Sequence, residues 1–182
     1  MIGAEAIGAL SQLLWMSPED RVYAVLDGAS IPNLLDRLYG EKRPEFECLY
    51  RGELAPDMAE VAPYLVALER DGEIAEWVLT HGWGNHWGIF AVSRSDLRTL
   101  QFHLRTLNTV YSPEGKPMLF RYYDPRVLRI FLPTCAPDQV KQMFGPVGRF
   151  VAEGETPEAA LTFTHVNGAP QKGARQIFRN AG

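Results

Sequence analysis

The chain has 182 residues, 46% of them hydrophobic and 22% charged, with a formal net charge of −4 and a pI near 5.6. That length can bury roughly 70% of its unfolded surface, so one compact domain should form without disulfides or metal. The negative balance argues against general nucleic-acid binding, which rests on phosphate neutralisation, and no run approaches the roughly 20 apolar residues of a membrane-spanning helix.

Residues 1–15 lack the basic start and long apolar run of a signal peptide. Instead Ile2, Ala6, Ala9, Leu10, Leu13 and Leu14 form a helical stripe. Residues 22–27 are a short apolar run that reads as a buried strand. Ser30 is placed to cap a helix whose face is Ile31, Leu34, Leu35 and Leu38 and which Gly40 ends. Residues 46–50 and 64–68 read as the next strands. Residues 73–81 read as a helix with Ile74, Trp77 and Val78 inward and Gly82 at its end, and 86–92 as a further strand. Ser93 and Asp96 make a capping-box-like start to a long helix. Leu97, Leu100, Leu104 and Leu107 form its core stripe, and Arg94, Arg98, Gln101 and Arg105 form a second stripe about a third of a turn away. That basic edge is either simply solvated or a rim for an acidic partner, a role that suits the planar fork of arginine.

Residues 118–122 are apolar and aromatic and read as a largely buried strand. Asp124 is a good N-cap, Pro125 fits the first helical position, and Val127, Leu128, Phe131 and Leu132 fall on one helical face before Pro133. Residues 137–144 read as a short helix closed by Gly145-Pro146, with strand character at 149–152 and 161–166. From Asn167 the chain is rich in Gly, polar and basic residues, with Lys172, Arg175 and Arg179 and no acid. Ile177 and Phe178 are its apolar anchor pair, so it is either a loose end or a docking peptide.

This alternation of strand and helix predicts an α/β fold: a mainly parallel sheet flanked by helices, in a single compact domain. Residues 1–146 are expected to form that domain and 147–182 a short C-terminal extension or tail. The two cysteines, Cys48 and Cys135, read as reduced thiols of a cytoplasmic protein. Acids crowd into 41–76 and bases dominate 94–129, an asymmetry that more often guides association with a protein than it sets a fold.

The search for chemistry returns little. There is no phosphate loop, dinucleotide fingerprint or Gly-x-Ser-x-Gly elbow. Asp27-Gly28-Ala29-Ser30 sits at a strand end, where α/β proteins bind ligands, but Asp and Gly also serve such a turn for backbone reasons. His81 and His86 flank glycines, but no Asp, Glu or Cys at ligand spacing completes a metal site, and Gly82, Gly84 and Asn85 read as helix end and turn. Trp83 and Trp87 read as core. Neither cysteine has an activating histidine beside it in sequence.

Four stretches, taken together, resemble one family. They are Val22-Tyr23-Ala24-Val25-Leu26-Asp27-Gly28-Ala29, Leu49-Tyr50-Arg51-Gly52, Ala62-Pro63-Tyr64-Leu65-Val66, and the distinctive Phe120-Arg121-Tyr122-Tyr123-Asp124-Pro125-Arg126-Val127-Leu128. In this order, over 22–145, they look like the adaptor or chaperone family of bacterial type VI secretion, long catalogued as a domain of unknown function. The resemblance implies a cytoplasmic protein that recognises a toxic effector and helps load it onto the VgrG spike protein, with no cofactor and no turnover. It carries no catalytic residues over. It implies that Arg121, Tyr122, Tyr123, Asp124 and Arg126 shape a strand–helix junction, with the arginines as contacts. Family members often carry a further C-terminal lobe, for which this chain has little room after Gly145.

The expected partner-binding residues are therefore Arg94, Arg98, Arg105, Arg121, Tyr122, Tyr123 and Arg126, on a structural frame of Asp27, Gly28, Asp124 and Pro125. An alternative is a small α/β enzyme or ligand-binding domain using Asp27 and Asp124 at strand ends. A third is an immunity protein that blocks a toxin.

Overall fold

The computed structural model of the chain describes residues 2–178. Arg179, the last base of the expected tail, lies outside them. Helix α1 (Ala4–Leu14) places Ala6, Leu10, Leu13 and Leu14 in the core, as its stripe requires. Strand β1 (Arg21–Asp27) is buried from Val22 onward, and a single 3-10 turn over Gly28–Ser30 follows it. Short elements come next: α2 (Leu34–Leu38), β2 (Phe46–Cys48), α3 (Pro56–Val61), β3 (Pro63–Leu68) and α4 (Glu73–Trp77). Helix α4 runs on as a π-helical turn over Val78–Gly82 into β4 (Gly88–Ser93). The second half holds α5 (Leu97–Leu107), β5 (Thr109–Tyr111), β6 (Pro117–Leu119), α6 (Pro125–Phe131) and α7 (Pro137–Phe144). It closes with β7 (Val147–Glu153), β8 (Ala159–Val166) and β9 (Ala169–Gln176).

Among the described residues, seven strands form one sheet in the order β2-β3-β1-β4-β7-β8-β9. Every neighbouring pair in it is antiparallel, so the expected mainly parallel sheet is overturned. The reason is strand order. β1 and β2, joined through α2, run the same way, and so do β3 and β4, joined through α4; but β3 lies between the first pair and β1 between the second, so every neighbour opposes. The near-continuous apolar runs read as buried strands fit this arrangement too, because β1, β3 and β4 are covered on both faces.

The pleat divides the core. Val22, Ala24 and Leu26 face a layer made of α1, α2 and α4, including Leu10, Leu14, Leu34, Leu38 and Val78. Tyr23 and Val25 face α5, α6 and α7, including Leu100, Leu104, Leu128, Val140 and Phe144. β1 lies between β3 and β4, with Val25 opposite both Leu65 and Ile89. The segment from Val147 on, read as an extension, contributes β7, β8 and β9 to this same sheet. Arg149 of β7 donates to the carbonyls of Leu13 and Leu14 (3.2 Å each), a cation at the C-terminal end of α1.

Three local expectations are corrected. Ser30 caps no helix: its hydroxyl donates to Asp27 (2.8 Å), and α2 begins after Asn33 in the left-handed region (φ 57°). Residues 118–122 are not a buried strand. β5 and β6 pair only with each other in a separate ribbon, and all six of their residues are exposed. The turn between them, closed by Ser112 N donating to Lys116 O (2.9 Å), lets the run satisfy its backbone locally. Tyr122 and Tyr123 beyond the ribbon are buried. The tail expected as a loose end or docking peptide forms β9, joined to β8 by Asn167-Gly168 with φ of 50° and 79°, the values of a type I′ turn. Ile177 is buried and Phe178 packs against the α1 side, as an anchor pair should.

Candidate functional site

At the end of β1 the chain must turn sharply, and the side chain of Asp27 holds the turn. It is 1% exposed, and accepts from Ala29 N (3.2 Å), from the Ser30 hydroxyl (2.8 Å) and from the Arg121 guanidinium. Gly28 follows because nothing larger fits: a Cβ there would lie 2.4 Å from the Ala62 carbonyl oxygen. Its own N–H donates to that same oxygen (3.1 Å).

The 120–126 motif meets this turn. Arg121 O accepts from Asp124 N (3.0 Å), which bends the chain and sends Tyr122 and Tyr123 into the core. Tyr122 is fully buried and donates to Leu104 O of α5 (3.1 Å), with its ring edge-on to Tyr123 at 5.5 Å. Burial drives the phenol of Tyr123 well up, and the hydroxyl of Tyr50 beside it pushes the same way. Asp124 caps α6 by accepting from Arg126 N (2.9 Å), with Pro125 at the first helical position. The same carboxylate takes a two-pronged bond from Arg126, Nε at 3.0 Å and Nη2 at 2.7 Å. Burial of Asp124 raises its pKa, but the Arg126 hydrogen bonds and the charges of Arg126 and Arg121 outweigh that and hold it below the ordinary carboxylate value.

A third carboxylate completes this end of the sheet. Glu153, at the end of β7, is 3% exposed and accepts from Gly84 N and from His86 Nδ1. Arg129 of α6 donates to the neighbouring Gly154 carbonyl (2.7 Å), and Trp83 Nε1 to Pro157 O (2.7 Å), so α6, the 83–88 loop and β7 are tied together. Asp27, Asp124 and Glu153 thus lie buried beneath Arg121 and Arg126, whose side chains stay 40% and 52% exposed. The fields of Glu153 and Asp27 both reach Arg126.

Each oxygen of the three carboxylates accepts at least one hydrogen bond. Burial raises the pKa of both thiols, Cys48 and Cys135, which keeps them protonated and weak as nucleophiles. Among the described residues, no group of three or more His, Cys, Asp or Glu could hold a metal ion.

The structure brings together Asp27, Gly28, Arg121, Tyr123, Asp124, Pro125 and Arg126, with Tyr122 anchoring them from beneath. The stripe expected on one helix is elsewhere, and Arg94 is not part of α5 but lies in the loop before Asp96, the cap of that helix. Arg98 lines an open groove of about 590 Å³ with Arg21, at the opposite end of β1 from Asp27. Arg94 pairs on the surface with Glu19 (2.9 Å), and Arg98 lies over the Phe102 ring at 5.6 Å. Gln101 is buried and Arg105 half-buried: both donate to Cys48 O, from Arg105 Nε and Nη2 at 3.1 and 2.8 Å and from Gln101 Nε2 at 3.2 Å. Trp83 is core, stacked on Phe90, whereas Trp87 is half-buried against Trp77 at 4.8 Å. Sequence reasoning missed Glu153 and Arg129, and weighed His86 only as a metal ligand and not as the partner of Glu153. The signal for Glu153 was an acid closing the apolar 150–153 run just before a glycine.

A family model described as "Domain of unknown function (DUF4123)" matches residues 22–142. Among curated proteins, the accessory protein VasW of Vibrio cholerae serotype O1 is 32% identical over 126 residues, which cover 67% of this chain and 41% of VasW. No solved structure matches. Among the described residues no helix is long and apolar enough to cross a membrane.

Proposed function

The chain belongs to the DUF4123 family, and on that premise we propose that it is an adaptor of bacterial type VI secretion. It binds a cognate toxic effector in the cytoplasm and helps load that effector onto the VgrG spike, acting by contact and not by turnover. The similar protein VasW bears the name of an accessory protein, which accords with a role in support of another polypeptide.

The observation that carries the reading is the sheet end built by the 120–126 motif. Two arginine heads remain partly open to solvent while the acids beneath them are committed to internal bonds. Preorganised arginines on a rigid base lose little freedom on pairing with a partner's carboxylates. Tyr122 and Tyr123 are buried and shape that base. Arg94, in the loop before α5, and Arg98, in its first turn, are exposed and offer a second contact area, and Arg105 ties α5 to Cys48 O.

The test is co-purification with the toxin encoded beside this chain, with and without VgrG. A stable complex with the toxin is expected. Charge reversal at Arg94 and Arg98, or at Arg126, should weaken it in protein whose circular dichroism is unchanged. Recovery of neither toxin nor VgrG would refute the adaptor role.

A further inference from the structure

The sheet has two ends, β2 and β9, and they are treated differently. At β2 the carbonyl of Cys48 is filled by Gln101 and Arg105 of α5. Among the described residues, nothing pairs with the outer edge of β9. Its residues from Gln171 to Gln176 are all exposed.

Register decides which backbone groups face out. Ile177 N donates to Glu158 O (2.8 Å), and Ala169 stands opposite Val166 across a two-residue turn. The odd-numbered residues of β9 therefore bond to β8, and the even-numbered ones point their N–H and C=O groups away from the sheet. Pro170 has no N–H and closes the edge nearest the turn. Lys172, Ala174 and Gln176 leave their amides and carbonyls open.

Charge then selects what can pair there. Ala169–Gln176 holds Lys172 and Arg175 and no acid. A second copy would set like charges against each other, which disfavours self-pairing, and basic residues with an edge proline are the usual protection against it. The same charges favour an acidic strand, so one device excludes self and admits a complement. The edge lies beyond the matched segment 22–142.

We propose that the outer edge of β9 takes up, by strand addition, an extended acidic segment of a partner polypeptide. The proposal deepens the adaptor reading and rests on it for the partner used as probe.

The probe is the purified toxin encoded beside this chain, titrated into the full chain by calorimetry and followed by hydrogen exchange. The amides of Lys172, Ala174 and Gln176 should gain protection in the complex. Reversing both charges (K172E with R175E) should weaken binding about tenfold or more and flatten its salt dependence. Ala174→Pro removes one outward amide and should weaken binding at low and high salt alike. If Ala174→Pro fails to fold, the charge-reversed variant and the amide protection decide. If the toxin binds with unprotected β9 amides and full affinity for both variants, the strand-addition site is overturned and the adaptor role stands. If the wild-type chain binds no toxin, both fall. Concentration-dependent protection of β9 without toxin would mean self-pairing and would overturn the choice of an acidic partner.

Discussion

Replacing Arg121 by methionine keeps the aliphatic stem but removes the charge over Asp27. Removing one partner of a buried ion pair costs roughly 3–5 kcal/mol, because the other charge is left without compensation. Here the cost is reduced on two counts. The Arg121 side chain is 40% exposed, so water already screens the pair. Asp27 also keeps its bonds from Ser30 and Ala29. About 2 kcal/mol remains, which in a chain of this size lowers Tm by about 4–8 °C. The assay is urea denaturation of a double-mutant cycle. Asp27→Asn removes the charge that Arg121 serves, so Arg121→Met should cost under about 0.5 kcal/mol in that background. Equal losses in both backgrounds, or a loss under about 0.5 kcal/mol in the wild type, would refute the account of Arg121 as a clamp. It would then serve partner contact alone.

Other outcomes follow from single groups. Burial lowers the pKa of His103, so the folded state resists its protonation; stability should fall as pH drops below the unfolded value of 6.5, and His103→Gln should shrink that slope. Asp124 has a depressed folded pKa, so its contribution is present above 3.8 and lost as pH falls through the folded value; the gap in unfolding free energy between wild type and Asp124→Asn should close on acidification. Gly168→Ala forces a side chain into φ 79° with Pro137 Cβ 3.2 Å away and should cost about 1–2 kcal/mol by thermal melting. Tyr122→Phe removes only the bond to Leu104 O and should cost about 1 kcal/mol in urea.

The elements legible in the sequence were those whose cause is local. The stripe of α1, the apolar run of β1 and the Asp124-Pro125 start of α6 stand where the pattern put them, whereas α5, expected from Ser93, is capped by Asp96 and Ser93 ends β4. Strand direction was not legible, because a strand between two helices has the same apolar pattern whichever way it runs. Strand order carried that information: β3 stands between β1 and β2, and β1 between β3 and β4, so the same-direction strands joined through α2 and α4 are not neighbours. Asn167-Gly168 is a hairpin signal in its own right, hidden by the exposed and polar character of β9. At the site, Asp27 and Arg121 were each singled out, but their pairing spans 94 positions and no local spacing encodes it. Arg105 shows the opposite case: its helical position suggests a solvated edge, and only the tertiary approach of Cys48 O draws it in.

The strand order has a consequence for synthesis. β1 acquires both its neighbours once β4 has left the ribosome, so the β2-β3-β1-β4 half of the sheet can close while the rest is still being translated. The outer side of β4 then stays bare until β7 emerges, after α5, α6 and α7. For that interval the nascent chain exposes an apolar, unpaired strand, and the speed of translation through the second half governs how long it is open to wrong partners.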